Sequence, residues 1–206
     1  MSTLTLRPNA DNDMDIAVWK GTGGVIVNLY SHIDEVTLDT ADYVYMAGPA
    51  VDYKCLFSFP DHTSESGTIN SVTVKAYLKM IKTGGPISAG SVSIGVKMGG
   101  TAYYGSTFRP SDITVTLYSQ AWNTNPDTSA AWTWTNIDAL IAGVKGTAIS
   151  DKYGSDYPYK YQCWAEVDYT SGWSNIAKVN GISSASIAKV NGIVVASIAK
   201  LSGKAV

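Results

Sequence analysis

The chain has 206 residues, a net charge of −2 and a hydrophobic fraction of 45%, enough apolar material for one substantial domain plus an appendage and too much for overall disorder. Charged residues make up only 16%, while Gly (19) and Tyr (13) are abundant, a balance that favours pleated surfaces joined by turns. No apolar run nears the roughly 20 residues that a membrane-spanning helix requires. The first seven residues lack the basic start and apolar core of a secretory signal, so synthesis in the cytoplasm, with no signal peptide and no membrane insertion, is expected.

In chain order, Leu4-Thr5-Leu6 is a first short strand that stops at Pro8-Asn9, and Asp11-Asn12-Asp13 continues as a polar loop. Val25-Ile26-Val27-Asn28-Leu29-Tyr30, Asp42-Tyr43-Val44-Tyr45-Met46 and Cys55-Leu56-Phe57-Ser58-Phe59 are the next strands, each beside a Gly or Pro turn signal. Residues 69–80 alternate. Val72, Val74, Ala76, Leu78 and Met80 take one face and Thr73, Lys75, Tyr77 and Lys79 the other, which predicts one face packed and one in water. Gly84-Gly85-Pro86 turns the chain into a second alternating run at 91–98; Gly99-Gly100 leads to Thr101-Ala102-Tyr103-Tyr104, and a further strand is expected at 112–118.

Residues 135–143 break the β pattern. A polar cap, an Asp in the first turn, a closing Gly143, and Ile137, Leu140 and Ile141 on one stripe predict a short helix that seals one end of the core. Residues 157–168 then form a closing strand, with Tyr161, Cys163, Ala165 and Val167 on one face and Gln162, Trp164, Glu166 and Asp168 on the other. The expected fold is all-β: an antiparallel, jelly-roll-like β-sandwich over residues 1–172 with one short helix, followed by a β-hairpin repeat tail in 173–206.

That tail carries one phrase three times with a period of 11 residues: Ile176-Ala177-Lys178-Val179-Asn180-Gly181, Ile187-Ala188-Lys189-Val190-Asn191-Gly192 and Ile198-Ala199-Lys200-Leu201-Ser202-Gly203. The period suits a right-handed coiled coil, but each interior Gly costs a helix about 1 kcal/mol. Asn-Gly between apolar residues is instead a type I′ hairpin signal. Isolated hairpins are marginal in water, so the tail either lies on residues 1–172 or pairs with tails of neighbouring subunits. The second arrangement makes Ile176, Val179, Asn180, Gly181, Ile187, Val190, Asn191, Gly192, Ile198 and Leu201 the assembly residues. A low-complexity tail that orders only on contact is the competing reading. Lys178, Lys189, Lys200 and Lys204 are its only charges, leaving 11 basic against 17 acidic groups in residues 1–173. Lysines this sparse blunt strand edges rather than grip phosphates, and no nucleic-acid partner is expected.

Leu6-Arg7-Pro8-Asn9, Ile33-Asp34-Glu35 with Asp42-Tyr43-Val44, Trp132-Thr133-Trp134-Thr135-Asn136-Ile137-Asp138-Ala139-Leu140 and Ala165-Glu166-Val167-Asp168-Tyr169 occur together. The combination resembles a class of β-sandwich proteins encoded among the structural genes of tailed bacteriophages, and the iterated Ile-Ala-Lys-Val-Asn-Gly phrases resemble C-terminal segments of phage virion proteins. The resemblance implies a virion component: a capsid decoration, a head or tail fibre, or another tail part. It implies assembly with other virion subunits and a homo-oligomer, and it brings no catalytic residue and no cofactor.

Chemistry-bearing motifs are sparse. His32 and His62 lack metal-ligand spacing. Cys55 and Cys163 read as small buried hydrophobes, with a disulfide between them left open. Asp11-Asn12-Asp13-Met14-Asp15 begins like a calcium loop, but Ile16 and Thr22 stand where an EF-hand needs Gly and Glu; an acidic, solvated turn is favoured over a calcium site of another kind. The pairs Asp34/Glu35 and Glu166/Asp168 read as solvent-facing charges rather than a glycosidase pair. Trp132 and Trp134 share a face if they lie in a strand, and with Trp122, Tyr103 and Tyr104 they form a candidate glycan platform. A cap over the core is favoured for them. The alternative function is therefore a carbohydrate-binding module recognising a cell-surface glycan, and no enzyme activity is expected.

Overall fold

The computed structural model describes residues 1–84, 90–151 and 154–171, and beyond them six two-residue strands within 178–205. The apolar alternation draws Gly67–Gly84 into a strand whose Val72, Val74, Ala76, Leu78 and Met80 are all buried. In chain order the elements are β1 (Ser2–Leu6), β2 (Ala10–Met14), β3 (Trp19–Gly21), β4 (Val44–Met46), β5 (Ala50–Ser58), β6 (Gly67–Gly84), β7 (Ser91–Met98), β8 (Thr101–Tyr104), β9 (Thr116–Trp122), the helix α1 (Trp134–Asp138), β10 (Ile141–Asp151) and β11 (Gly154–Ser171). These eleven strands pair antiparallel throughout and belong to one sheet, curled into a nearly closed, barrel-like body around a single apolar core. The all-β, antiparallel class expected from composition holds.

β11 is the organising strand. One edge pairs with β6 along its whole length, from Gly154↔Gly84 to Ser171↔Gly67. The other edge takes β10 at Gly154–Asp156, then β4 at Tyr159 and Lys160, then β1 from Ala165 to Tyr169. β10 lies between β5 and β7, and β8 and β2 extend that half outward. No helix among the described residues is long and apolar enough to cross a membrane.

The register of β11 slips between Lys160 and Gln162, where Leu78↔Lys160 is followed by Tyr77↔Gln162. This β-bulge inserts one residue and reverses the alternation beyond it. Tyr161, expected on the core face, leaves the apolar cluster and packs beside Tyr43, 5.7 Å between centroids. Lys160 takes the inward position and is fully buried (0% exposed). Its Nζ donates to the Cys55 carbonyl at 3.3 Å and lies 4.0 Å from the Phe57 ring centroid.

Four local expectations change. Ala10–Met14 is an edge strand on β5, not a polar loop; polar and charged side chains suit an edge. Residues 25–30 are not a strand. The Asp11 carboxylate accepts the N–H groups of Leu29 and Tyr30 at 2.9 and 2.8 Å, holding a 3₁₀ turn at Leu29–His32, and Val25, Ile26 and Val27 stay exposed. The strand expected at 112–118 is β9, starting at Thr116. The expected helix is shorter: a capping box between Thr133 and Asn136 starts α1, but Ile141 onward is recruited as β10. Gly143 and Gly146 permit this recruitment, because a Cβ on them would meet the Cys55 carbonyl oxygen at 2.3 Å and Met46 Sδ at 2.8 Å.

In the tail, β12 (Lys178–Val179) pairs with β13 (Ile182–Ser183), β14 (Lys189–Val190) with β15 (Ile193–Val194), and β16 (Lys200–Leu201) with β17 (Lys204–Ala205), each as a two-stranded sheet. Val179, Val190 and Leu201 lie in these ladders. Ile176, Asn180, Gly181, Ile187, Asn191, Gly192 and Ile198 fall outside the described residues, as do Gly85 and Pro86 of the expected turn.

Gly143→Ala is expected to destabilise the body by about 1–3 kcal/mol through overpacking against β5, whereas Gly48→Ala, with open space around it, should be near neutral. Urea unfolding of both variants checks this; equal midpoints would show that the β5–β10 spacing is not limiting.

Candidate functional site

On the outer surface, strand alternation and register build a row of four side chains. Val44 and Met46 of β4 are buried, so Tyr45 between them faces outward. Tyr45 stands opposite Lys20 of β3 on one side and Tyr159 of β11 on the other, and Tyr159 stands opposite Lys79 of β6. Tyr45 and Tyr159 stack with centroids 5.1 Å apart and planes at 25°. Tyr43 leans on Tyr159 at 5.0 Å, and Tyr161 joins through the bulge. Burial, followed by the neighbouring Tyr43 and Tyr45, pushes the Tyr159 phenol up to about 12, so it remains a neutral hydroxyl near pH 7. The patch combines flat apolar area, hydroxyls and a lysine at each end. Sequence reasoning missed it, although Tyr43/Tyr45 and Tyr157/Tyr159/Tyr161 each recur at the two-residue spacing of one strand face.

The two tryptophans lie elsewhere. Trp132 is buried (4% exposed), and its indole N–H donates to the Trp122 carbonyl at 2.9 Å. Trp134 opens α1, donates to the Gly67 carbonyl at 3.1 Å and stacks on His62, with centroids 4.9 Å apart. Because one precedes the helix and the other begins it, they do not share a strand face.

Each histidine is held by a carboxylate. His62 Nδ1 lies 2.6 Å from Asp138 Oδ1, which also accepts the His62 backbone N–H at 3.0 Å. His32 Nδ1 lies 2.5 Å from Asp42 Oδ1, and the Thr22 hydroxyl donates to the same oxygen at 2.7 Å. Each pair links the segment of its histidine to that of its carboxylate: His62 to α1, and the 3₁₀ turn to the segment before β4.

The acidic segment 11–15 is not a solvated turn. Asp11 caps the 3₁₀ turn, Asp13 binds Lys54 at 2.8 Å and Lys97 at 2.9 Å, and Asp15 accepts the Lys54 N–H at 2.6 Å. These bonds tie β2 to β5 and β7. Among the described residues no group of three or more His, Cys, Asp or Glu is placed to hold a metal ion. Glu166, expected in solvent, pairs with Lys75 at 2.7 Å and accepts the Trp164 N–H at 2.9 Å. Both cysteines are buried free thiols.

No protein-family model matches the sequence, and a comparison with curated proteins finds no match.

Burial alone would raise the Asp13 carboxyl, but hydrogen bonds from Lys54 and Lys97 outweigh it and hold the group below the ordinary value; at Asp42 burial is likewise outweighed, by Thr22 and His32. A depressed folded-state value contributes stability that is present above the unfolded value, about 3.9 for Asp, and is lost as pH falls through the folded one. Thermal midpoints should therefore fall steeply below about pH 4, and Asp13→Asn should lower the neutral-pH midpoint while flattening the acid slope. An unchanged slope in that variant would remove Asp13 from the acid response.

Proposed function

We propose that this protein is a non-catalytic structural component of a virion that works through subunit assembly, with residues 1–172 as a jelly-roll-like body and residues 173–206 as the assembly segment. The observation that carries the reading is the repetition in the tail. Units 11 residues apart pair with the same offset: Val179↔Ile182, Val190↔Ile193 and Leu201↔Lys204. Active sites use unique residues, whereas a repeated backbone shape suits stacking or anchoring. Two-residue ladders bury too little to be stable alone, so pairing between tails of neighbouring copies supplies the missing partner and removes their edges. The jelly-roll-like reading of the body draws support from its two halves, β5–β10–β7 and β1–β11–β6, which contribute to one core.

Deleting residues 174–206 should convert an oligomer into a monomer while leaving the thermal midpoint of the body unchanged. Size-exclusion chromatography with light scattering on both forms decides the matter, and a truncated protein that keeps the full-length stoichiometry overturns the tail's role.

The tyrosine row favours a second reading, adhesion to a cell-surface glycan, with Tyr45 and Tyr159 in place of Trp132 and Trp134. Tyr45→Ala or Tyr159→Ala should weaken glycan binding by about tenfold on a saccharide array while circular dichroism stays unchanged; equal binding by wild type and both variants removes this reading.

A further inference from the structure

The β-bulge leaves a chemical pair inside the core. Lys160 Nζ lies 3.3 Å from Cys55 Sγ and 3.3 Å from the Cys55 carbonyl oxygen. Both side chains are fully buried, and Lys160 Nζ lies 4.0 Å from the Phe57 ring centroid and 5.9 Å from that of Trp19. None of the ion pairs among the described residues includes Lys160. A buried lysine without a carboxylate is a costly occupant of a core position, and Met would fill similar space. Packing alone does not account for it.

We infer that Lys160 and Cys55 form a covalent modification site, in which Nζ and Sγ become joined through one oxygen atom supplied by dioxygen. The step balances as Lys–NH₂ + HS–Cys + O₂ → Lys–NH–O–S–Cys + H₂O. One N–H and the S–H bond break, the O–O bond is cleaved, and N–O and O–S bonds form. Nitrogen and sulfur each lose two electrons; one oxygen atom becomes the bridge and the other leaves as water with the two hydrogens. Dioxygen is small and apolar enough to enter a core that excludes charged oxidants.

Burial, only partly offset by Lys160, pushes the Cys55 thiol up to about 11. Disulfide exchange and alkylation, which need the thiolate, are thereby suppressed, leaving the contact with the amine as the distinctive feature of this sulfur. Cys163, also buried and raised by burial, is the competing partner.

The consequence is a rivet. Cys55 lies on β5, which pairs with β2 and β10, and Lys160 lies on β11, which pairs with β1, β4, β6 and β10. No β5–β11 ladder ties them, so the bridge would join the two halves of the body across the core. It would close a loop between positions 105 apart, and cross-links that close long loops restrict the unfolded chain most.

The test uses the full chain, exposed to air and denatured without reductant, then analysed by intact mass and peptide mapping. The expected product gains one oxygen atom and loses two hydrogens, joins the peptides holding residues 55 and 160, and reverts with a thiol reductant. It should persist in Cys163→Ala, vanish in Cys55→Ala and Lys160→Met, and raise the thermal midpoint relative to the reduced protein. An unchanged mass overturns the inference, as does a disulfide joining residues 55 and 163, or oxygen added to Cys55 without a joined peptide. The wild-type map decides these outcomes even if a variant fails to fold.

Discussion

One inserted residue in β11 sets the terms for the rest of the body. Without the slip between Lys160 and Gln162, strand parity would place Tyr161 in the core and Lys160 in water. With it, Lys160 reaches through the core to the Cys55 carbonyl, and the Tyr161 ring, still buried, packs against Tyr43 beneath the tyrosine patch. A bulge also increases local twist, and it lies beside the point where β4 meets β11, at Tyr159 and Lys160. The buried amine and the outer patch thus have a single backbone cause.

β11 gains its position from length. A strand of 18 residues can hold β6 on one edge and still offer successive stretches of the other to β10, β4 and β1. Almost all of these pairings join residues far apart in sequence, so the body is built of non-local contacts that form late and together. Where the ladder runs out, side chains take over. Asp13 bridges Lys54 and Lys97 across β2, β5 and β7, and Arg7 donates to the Glu35 carbonyl at 2.5 Å, fastening the long 3₁₀-containing excursion to the sheet. Glu35 shows the opposite balance to Asp13: burial first, then nearby Asp34 and Asp42, raises its carboxyl, so its charge opposes folding at neutral pH.

The body and tail divide the proposed work between them. Unique residues and long-range pairing build the described part of the body around one core, while the tail repeats one short ladder whose stability has to come from elsewhere. That contrast is what the proposed assembly role rests on. The tyrosine row would add a recognition surface to the same body, because the lysines opposite Tyr45 and Tyr159 place cations beside stacked rings.

Where burial is one-sided, the sequence was readable. β6 alternates in the chain as it does in the structure, whereas β7 keeps the bounds of the run 91–98 although residues 92–96 are buried on both faces. Only the first residues of β10, Ile141–Gly143, fall in the expected helix; there the strand runs between β5 and β7 and Ala142, Gly143 and Val144 are all buried, so no alternation marks its start. Residues 25–30 have strand composition, yet Asp11 captures the N–H groups of Leu29 and Tyr30, a contact that composition does not encode. By itself, the sequence determined the all-β class, the two-residue rhythm of its long strands and the 11-residue repeat, because these depend on side chains a few positions apart. The inward turn of Lys160, its contact with Cys55 and the pairing of Tyr45 with Tyr159 were decided only by tertiary structure, because each depends on the register between strands distant in sequence, and a slip of one residue reverses the face that every following side chain takes.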